Sequence, residues 1–407
     1  MEQAKKPIFT MSLMVTGNLL GAGILALPVN LGPAGMIPSS IGIMLVWGLM
    51  LYSSFVLADQ KELLTGGTGG LPSFFGAKLG TSAKWVAVTA DLIVFYGVLT
   101  AYLTGTTSIL FELFKIPLPE SVVCLGYFAV VAGLTGMGMG LLRRCNVFIL
   151  AGMGVTFLAM IAMTTGHMEP DRALPMQWRF LPAAMPVVLT AFLYHNLVPT
   201  VCRELHCDRA AIRKAMFIGS AIGLAMNLIW TVAVFCSLPF SEPESVSILS
   251  AFEHNLPATI PLSKLLGSRL FTDIGLVFAV LSMTAAFMAN GAALRGFLLD
   301  LTDTHLDSRS NALIWILAFI PPLLVSLFYP DIFLQAMNLV GGVGVCVLFG
   351  ILPSLVLLRQ AGDDRRTRRL AWLMFAFFGL ILIFSVGQEL GLTHIQPNVK
   401  YWMGKGM

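Results

Sequence analysis

The chain has 407 residues, of which 57% are apolar and only 11% charged, and its formal net charge is +4. Soluble globular domains carry about 25% charged residues, so this composition excludes a soluble domain, and the small charge excess points to membrane topology rather than nucleic acid. The mean hydropathy of +0.84 fits bilayer-spanning helices, each of which needs about 20 mostly apolar residues. The expected class is an all-α polytopic membrane protein forming one transmembrane domain over 1–407.

The opening "MEQAKKP" is basic, but the apolar stretch behind it is too long for a signal peptide and lacks a cleavage site. Residues 7–58 contain no Asp, Glu, Lys, Arg or His. They hold two predicted spans, 8–30 and 36–58, joined at "NLGPAG" (Asn30 to Gly35). The first span is unusual: Gly17, Gly21 and Gly23 fall near its middle and Pro28 follows. Glycine weakens a helix interior and proline removes a backbone donor. In lipid an unsatisfied backbone group costs several kcal/mol, so irregular backbone survives only where protein buries it or a cavity meets it. Gly17 and Gly21 form a GxxxG packing motif, which accounts for those two glycines. It does not account for "GAG", Asn18 and Pro28 together. An unwound binding site accounts for all of them, with half-helix N–H groups facing an anionic ligand.

The loop "KELLTGGTGGLPSFFGAKLG" (Lys61 to Gly80) predicts a short interfacial helix around Pro72 to Leu79. Spans follow at 85–110, 121–141 and 146–165. On the third, Tyr96, Thr100 and Thr104 recur every four residues and share one face. Asp91 sits about two turns from the start of that span, where a gate or a salt bridge suits it. The sixth span, 182–202, carries the second interruption: Tyr194, His195, Asn196 and Pro199 break an otherwise apolar helix. It lies five spans after the first. A five-plus-five inverted repeat, 8–165 and 182–358, places the two broken helices at corresponding positions, the best sequence pointer to a transport site. His195 is the one histidine well inside a span. Charged side chains there cost roughly 2.5–3.5 kcal/mol and are functional by default, and imidazole exchanges a proton near neutral pH. The same residue can equally hydrogen-bond across helices as a neutral ring.

The remaining spans are predicted at 214–238, 272–298, 311–329, 332–358 and 370–390, the last lying outside the repeat, which makes eleven. The loop "EPESVSILSAFEHNLPATIPLSKLLG" (Glu242 to Gly267) has apolar residues at roughly helical spacing and is either a folded-back lid or a surface loop. Six cysteines show no framework spacing; Cys202, His206 and Cys207 read as membrane-proximal residues, and no metal site is expected. Placing the N-terminus in the cytoplasm leaves only Lys115, Arg172, Arg179, Lys264, Arg269, Lys400 and Lys405 of the 25 basic residues on the far side. The positive-inside rule therefore puts the N-terminus in and the C-terminus out.

The segments "GNLLGAGILALP" and "FLYHNLVPTV" resemble the two signature segments of the bacterial aromatic amino acid permeases, the tyrosine- and tryptophan-specific carriers. "FYGVLTAYLTG" (Phe95 to Gly105), "FIGSAIGLAMNLIW" (Phe217 to Trp230) and "FIPPLLVSLFYP" (Phe319 to Pro330) look like further matching segments. The family belongs to the hydroxy and aromatic amino acid permeases of the amino acid–polyamine–cation superfamily. The resemblance implies the leucine-transporter fold with broken helices 1 and 6, and proton symport across the bacterial inner membrane. Span eight departs from the pattern, with Asn290 and Arg295 where mostly small or apolar residues are expected.

Resemblance and backbone logic together make Gly21, Ala22 and Gly23 the cradle of a substrate carboxylate. Thr16 and Asn18, one turn earlier, either hold the substrate amine or bond between helices. An aromatic substrate needs an apolar, partly aromatic pocket, for which Phe192, Tyr194, Tyr96 and Thr100 are candidates. His195 is the candidate for proton coupling. Ser282 and Thr284, with carbonyls freed on span one, are a candidate oxygen cage for sodium, though such hydroxyls often bond back to their own helix. The expected function is proton-driven import of tyrosine or tryptophan, without a cofactor. The alternative is a sodium- or proton-coupled carrier for another neutral amino acid such as serine or threonine. A channel needs a polar ring and an enzyme needs clustered acids or histidines; the spans supply only His195, Asp91 and Glu389. The expected partners are the substrate and the bilayer, with neither nucleic acid nor an obligate protein partner.

Overall fold

The computed structural model describes residues 2–60, 70–114, 117–136, 139–169, 176–241, 246–302 and 308–392. Lys115, Arg172, Lys400 and Lys405, used above to orient the chain, lie outside the described residues, as do residues 242–245 of the loop after the seventh predicted span. The described residues are 86% helix, with no strand among them.

In chain order the helices are α1 (Glu2–Leu19), α2 (Ala22–Leu31), α3 (Met36–Ala58), α4 (Leu71–Leu79), α5 (Thr81–Phe114), α6 (Glu120–Gly136) and α7 (Met139–Thr165). Then come α8 (Leu181–Ala191), α9 (Val198–Glu204), α10 (Arg209–Ser237), α11 (Ile248–Glu253), α12 (Thr259–Leu266), α13 (Arg269–Thr302) and α14 (Ser308–Phe328). The chain ends with α15 (Phe333–Leu339), a π-wound segment (Val340–Ile351), α16 (Leu352–Gln360) and α17 (Arg365–Glu389).

Nine helices among the described residues are long and apolar enough to cross a membrane, and the bent pair α1–α2 raises this to ten. At the predicted fourth span the structure has the shorter apolar helix α6. Large apolar side chains lie exposed along these helices, among them Leu158 at 67%, Ile383 at 68% and Phe328 at 75%. Such an apolar exterior suits lipid as the surrounding solvent. The chain is a multi-pass membrane protein.

Polar side chains cap a few of the helices at their N-terminal ends. Asp208 begins α10 by accepting from the Ala210 and Ala211 amides, and Asp364 begins α17 by accepting from the Arg366 amide. The Asp364 carboxyl is held below the ordinary aspartate range, chiefly by the Thr367 hydroxyl and the Arg366 amide. The short helix expected around Pro72 to Leu79 is α4. The turn at "NLGPAG" is a 3-10 turn, Gly32–Ala34, closed by Gly35 at φ +87°, a conformation that favours glycine. The loop after α10 folds back: the Ala258 amide bonds the Leu25 carbonyl of α2 at 3.1 Å, and α11 packs on the same helix.

Two groups of helices pack internally. In one, α1 lies along α10, α10 along α3, and α2 along α8. In the other, α13 lies along α5 and α7, while α5 also packs on α14 and the π-wound segment. Glycine permits the closest joint between α8 and the π-wound segment: a Cβ on Gly341 would lie 1.7 Å from the Pro186 carbonyl oxygen.

Candidate functional site

The first span breaks at Leu20 and Gly21, between α1 and α2, with a bend of 49°. Gly21 caps α2 in an extended conformation, and no side chain caps the helix. The first amides of any helix lack internal acceptors, and here they open into the protein interior: every residue of α2 is buried. Close approach explains the sequence. A Cβ on Gly23 would fall 2.5 Å from the Ala191 Cα, at the matching break in span six, and one on Gly21 would fall 3.2 Å from the Tyr102 hydroxyl. The carbonyl freed at Leu20 accepts from the Ser282 hydroxyl of α13 at 2.6 Å. Gly21, Ala22 and Gly23 thus form an uncapped, buried helix N-terminus, which carries positive partial charge and suits an anion.

The second break runs from Phe192 through Tyr194, followed by a 3-10 turn, His195–Leu197, before α9 resumes. Side chains hold this break to its neighbours. The Tyr194 hydroxyl bonds Ser54 of α3 at 2.8 Å. His195 Nε2 donates to the Met50 carbonyl at 3.0 Å, and its ring lies between Tyr194 and Phe349, with centroids 4.8 and 4.7 Å away. His195 Nδ1 is buried without a partner. Phe192 is fully buried.

A chain of amides joins the two breaks. Asn18 Nδ2 donates to the Leu193 carbonyl at 2.8 Å and to Asn196 Oδ1 at 3.3 Å. Asn196 Nδ2 donates to Asn290 Oδ1 at 2.8 Å, and Asn290 Nδ2 reaches the Tyr102 hydroxyl at 3.5 Å. This path links α1, the second break, α13 and α5. Asn18 Oδ1 is left buried and unpartnered.

Not every expected residue joins this group. Tyr96 turns away and donates to the Leu317 carbonyl of α14 at 2.8 Å. The expected face continues through buried Thr100 to Thr104, which lines a separate cavity of about 260 Å³ with Glu120, Cys124 and Ser326. Ser282 and Thr284 part company: Ser282 serves the Leu20 carbonyl, whereas Thr284 meets the Tyr127 hydroxyl of α6 at 3.2 Å. Two residues apart, they point to different sides of one helix, so the structure does not gather them into a cage. Among the described residues, no group of three His, Cys, Asp or Glu side chains is placed to hold a metal. Thr16 braces α1 on α10 through the Gly219 carbonyl at 3.0 Å. Asp91 is 4% exposed, and no cation among the described residues pairs with it.

Three residues at the breaks were not singled out as binding candidates from sequence: Tyr102, Asn196 and Asn290. Asn227 and Trp230 of α10 join them, fully buried, with Asn227 Oδ1 and Trp230 Nε1 unpartnered. They continue the face on which Gly219 and Gly223 approach Val15 and Leu19 of α1. The available signal was a polar residue repeated within otherwise apolar spans.

Residues 4–394 match the family model described as the tryptophan/tyrosine permease family. The chain is 27% identical over 350 residues to tyrosine-specific transport system 2 of Haemophilus influenzae, across 83% of this chain and 84% of that one. It is 25% identical over 402 residues to tyrosine-specific transport system 1 of the same organism, across 97% and 90%. It is also 24% identical over 403 residues to the tryptophan-specific transport protein of Shigella flexneri, across 94% and 93%.

Proposed function

The chain belongs to the tryptophan/tyrosine permease family, whose members are transport proteins rather than enzymes, and we propose that it imports tyrosine or tryptophan across the bacterial cytoplasmic membrane by proton symport with alternating access. The observation that carries this reading is the uncapped N-terminus of α2, buried between the two helix groups beside the Tyr102 hydroxyl. In the proposed complex the Gly21, Ala22 and Gly23 amides and the Tyr102 hydroxyl take the substrate carboxylate. The α2 dipole adds to those bonds. Phe192 and Trp230 face the ring, and the unpartnered Trp230 Nε1 and Asn227 Oδ1 supply polar contacts that fix its orientation. Asn18 holds the amine through its free Oδ1.

The proposed architecture is eleven spans in a five-plus-five inverted repeat, with the N-terminus inside and the C-terminus outside. The two breaks five spans apart support it, as does the division into an α1–α2–α3–α8–α10 group and an α5–α7–α13–α14 group. In that orientation the Asn18–Asn196–Asn290 chain lies on the cytoplasmic side of the breaks and closes the inner path. His195 is proposed to take up the coupling proton at Nδ1, the ring nitrogen that Met50 leaves free.

Uptake of labelled tyrosine, tryptophan and serine into proteoliposomes tests the reading. Aromatic uptake that follows an inward proton gradient, collapses with a protonophore and ignores sodium is the expected result. Serine uptake, or an absolute need for sodium, overturns it.

A further inference from the structure

Helix α17 opens with four arginines, Arg365, Arg366, Arg368 and Arg369, within five residues. The positive-inside rule accounts for such a run beside a span, but not for where its side chains point. Cations are disfavoured in the first turn of a helix, where the amide dipoles already carry positive charge. Arginines in the preceding loop would orient the span without that cost. The placement has a geometric counterpart. Arg365, Arg368, Arg369 and Trp372 are spaced three and four residues apart and share one face, and all four are exposed. The same stripe runs on through Leu380 and Ile383, 56% and 68% exposed. The opposite face is the packed one: Met374, Phe378 and Ile381 are buried, and α17 lies along the π-wound segment and α16. The three arginines therefore stand over the lipid-facing side of α17.

Several arginines elsewhere find acceptors in the protein. Arg209 and Arg213 both pair with Asp59, Arg295 bonds Asn311 at 2.8 Å, and Arg359 bonds the Lys78 carbonyl at 2.6 Å. Asp364, the acid that caps α17, accepts from the Arg366 amide and the Thr367 hydroxyl. Arg365, Arg368 and Arg369 have no protein acceptor among the described residues. Guanidinium groups grip phosphate through paired N–H donors, and basic clusters beside a spanning helix attract anionic headgroups. Trp372, 56% exposed and one turn beyond Arg369, stands where interfacial tryptophans sit, between headgroup and acyl chain.

We propose that this stripe of α17 is a binding surface for an anionic phospholipid, with Arg365, Arg368 and Arg369 on its phosphate and Trp372 against the start of its acyl chains. The inference rests on the chain being a multi-pass membrane protein and is independent of what it transports.

The test is quenching of tryptophan fluorescence in vesicles by phospholipids with brominated acyl chains. The difference between wild type and Trp372→Phe isolates the signal of Trp372. Brominated phosphatidylglycerol, which is anionic, is expected to quench that signal at an about tenfold lower mole fraction than brominated phosphatidylcholine, which is zwitterionic. Equal quenching by the two lipids overturns the proposal without recourse to any arginine variant. Replacing Arg365, Arg368 and Arg369 together by glutamine is expected to abolish the preference; a preference that survives places the anionic lipid elsewhere and overturns it. The matching lysine variant keeps the charge that orients the span but cannot grip one phosphate with two N–H groups. It is expected to weaken the preference severalfold, and an unchanged preference overturns the arginine–phosphate grip even where the glutamine variant does not fold. Loss of the wild-type preference on adding inorganic phosphate at constant ionic strength assigns the arginines to a soluble anion and also overturns the lipid.

Discussion

The two helix breaks differ in how they are held. At the first, backbone does the work: Gly21 and Gly23 let α2 begin against Tyr102 and Ala191, and no side chain caps its amides. At the second, side chains do: Tyr194 on Ser54, His195 on Met50 and Asn196 on Asn290 tie an irregular stretch to three neighbours. A break tied down by side chains has most of its bonding satisfied by protein, His195 Nδ1 excepted. One that leaves donors unsatisfied has bonding to offer a ligand. On the proposed reading the first break binds the substrate carboxylate and the second mainly latches the helices, although both look alike as interrupted apolar runs.

The strongest way to break this contrast is to fill the first site. Gly23→Val places side-chain atoms against the Ala191 backbone, where overpacking costs about 1–3 kcal/mol, and uptake is expected to be lost while the protein still purifies folded. Retained uptake contradicts the assignment of that break to substrate.

Cutting the latch comes next. Asn196→Ala removes the central amide of the chain from Asn18 to Asn290 and leaves buried groups unpaired, at about 1–3 kcal/mol. Since 1.4 kcal/mol is tenfold in an equilibrium, the variant is expected to favour an inward-open form by roughly that factor. Thiol labelling of a cysteine introduced on the inner path reads this shift. Labelling no faster than in the parent shows that the amide chain is not a closing element.

His195→Gln sharpens the comparison within the second break. A side chain that keeps a donor to Met50 but takes up no proton is expected to preserve tyrosine exchange and lose uphill accumulation. Loss of both activities makes His195 a brace, like Tyr194. The smallest effect belongs to Tyr194→Phe, which deletes the hydroxyl that meets Ser54 and Ser220; it should lower stability by about 1 kcal/mol, read as a fall in Tm, with transport retained.

The contrast was only half legible in the sequence. Both breaks announced themselves, because glycine, proline and polar residues stand out in spans that otherwise lack them, and the helix at Leu71–Leu79 and the turn at Gly32–Ala34 were readable for the same reason. The facing of side chains was not. In a soluble helix the polar face marks the outside; in a membrane span both the lipid side and the packed side are apolar, so periodicity groups residues without naming their neighbour. Tyr96, Thr100 and Thr104 do follow one another along α5, but that row leads to Leu317 and the cavity beside α6, while Tyr102 meets Gly21. Ser282 and Thr284 diverge for the same reason. Asn290 looked like a departure from a family pattern, and its partners at Asn196 and Tyr102 lie 94 and 188 residues away in sequence.

In the proposed mechanism the first break recognises the substrate through its carboxylate. Competition against labelled tyrosine uptake in proteoliposomes tests it most directly, using tyramine, which lacks the carboxylate, beside unlabelled tyrosine, in wild type and in Tyr102→Phe. Tyramine is expected to compete poorly against labelled tyrosine in wild type, and Tyr102→Phe to weaken tyrosine while leaving tyramine unchanged. Equal competition by tyramine and tyrosine in wild type contradicts it.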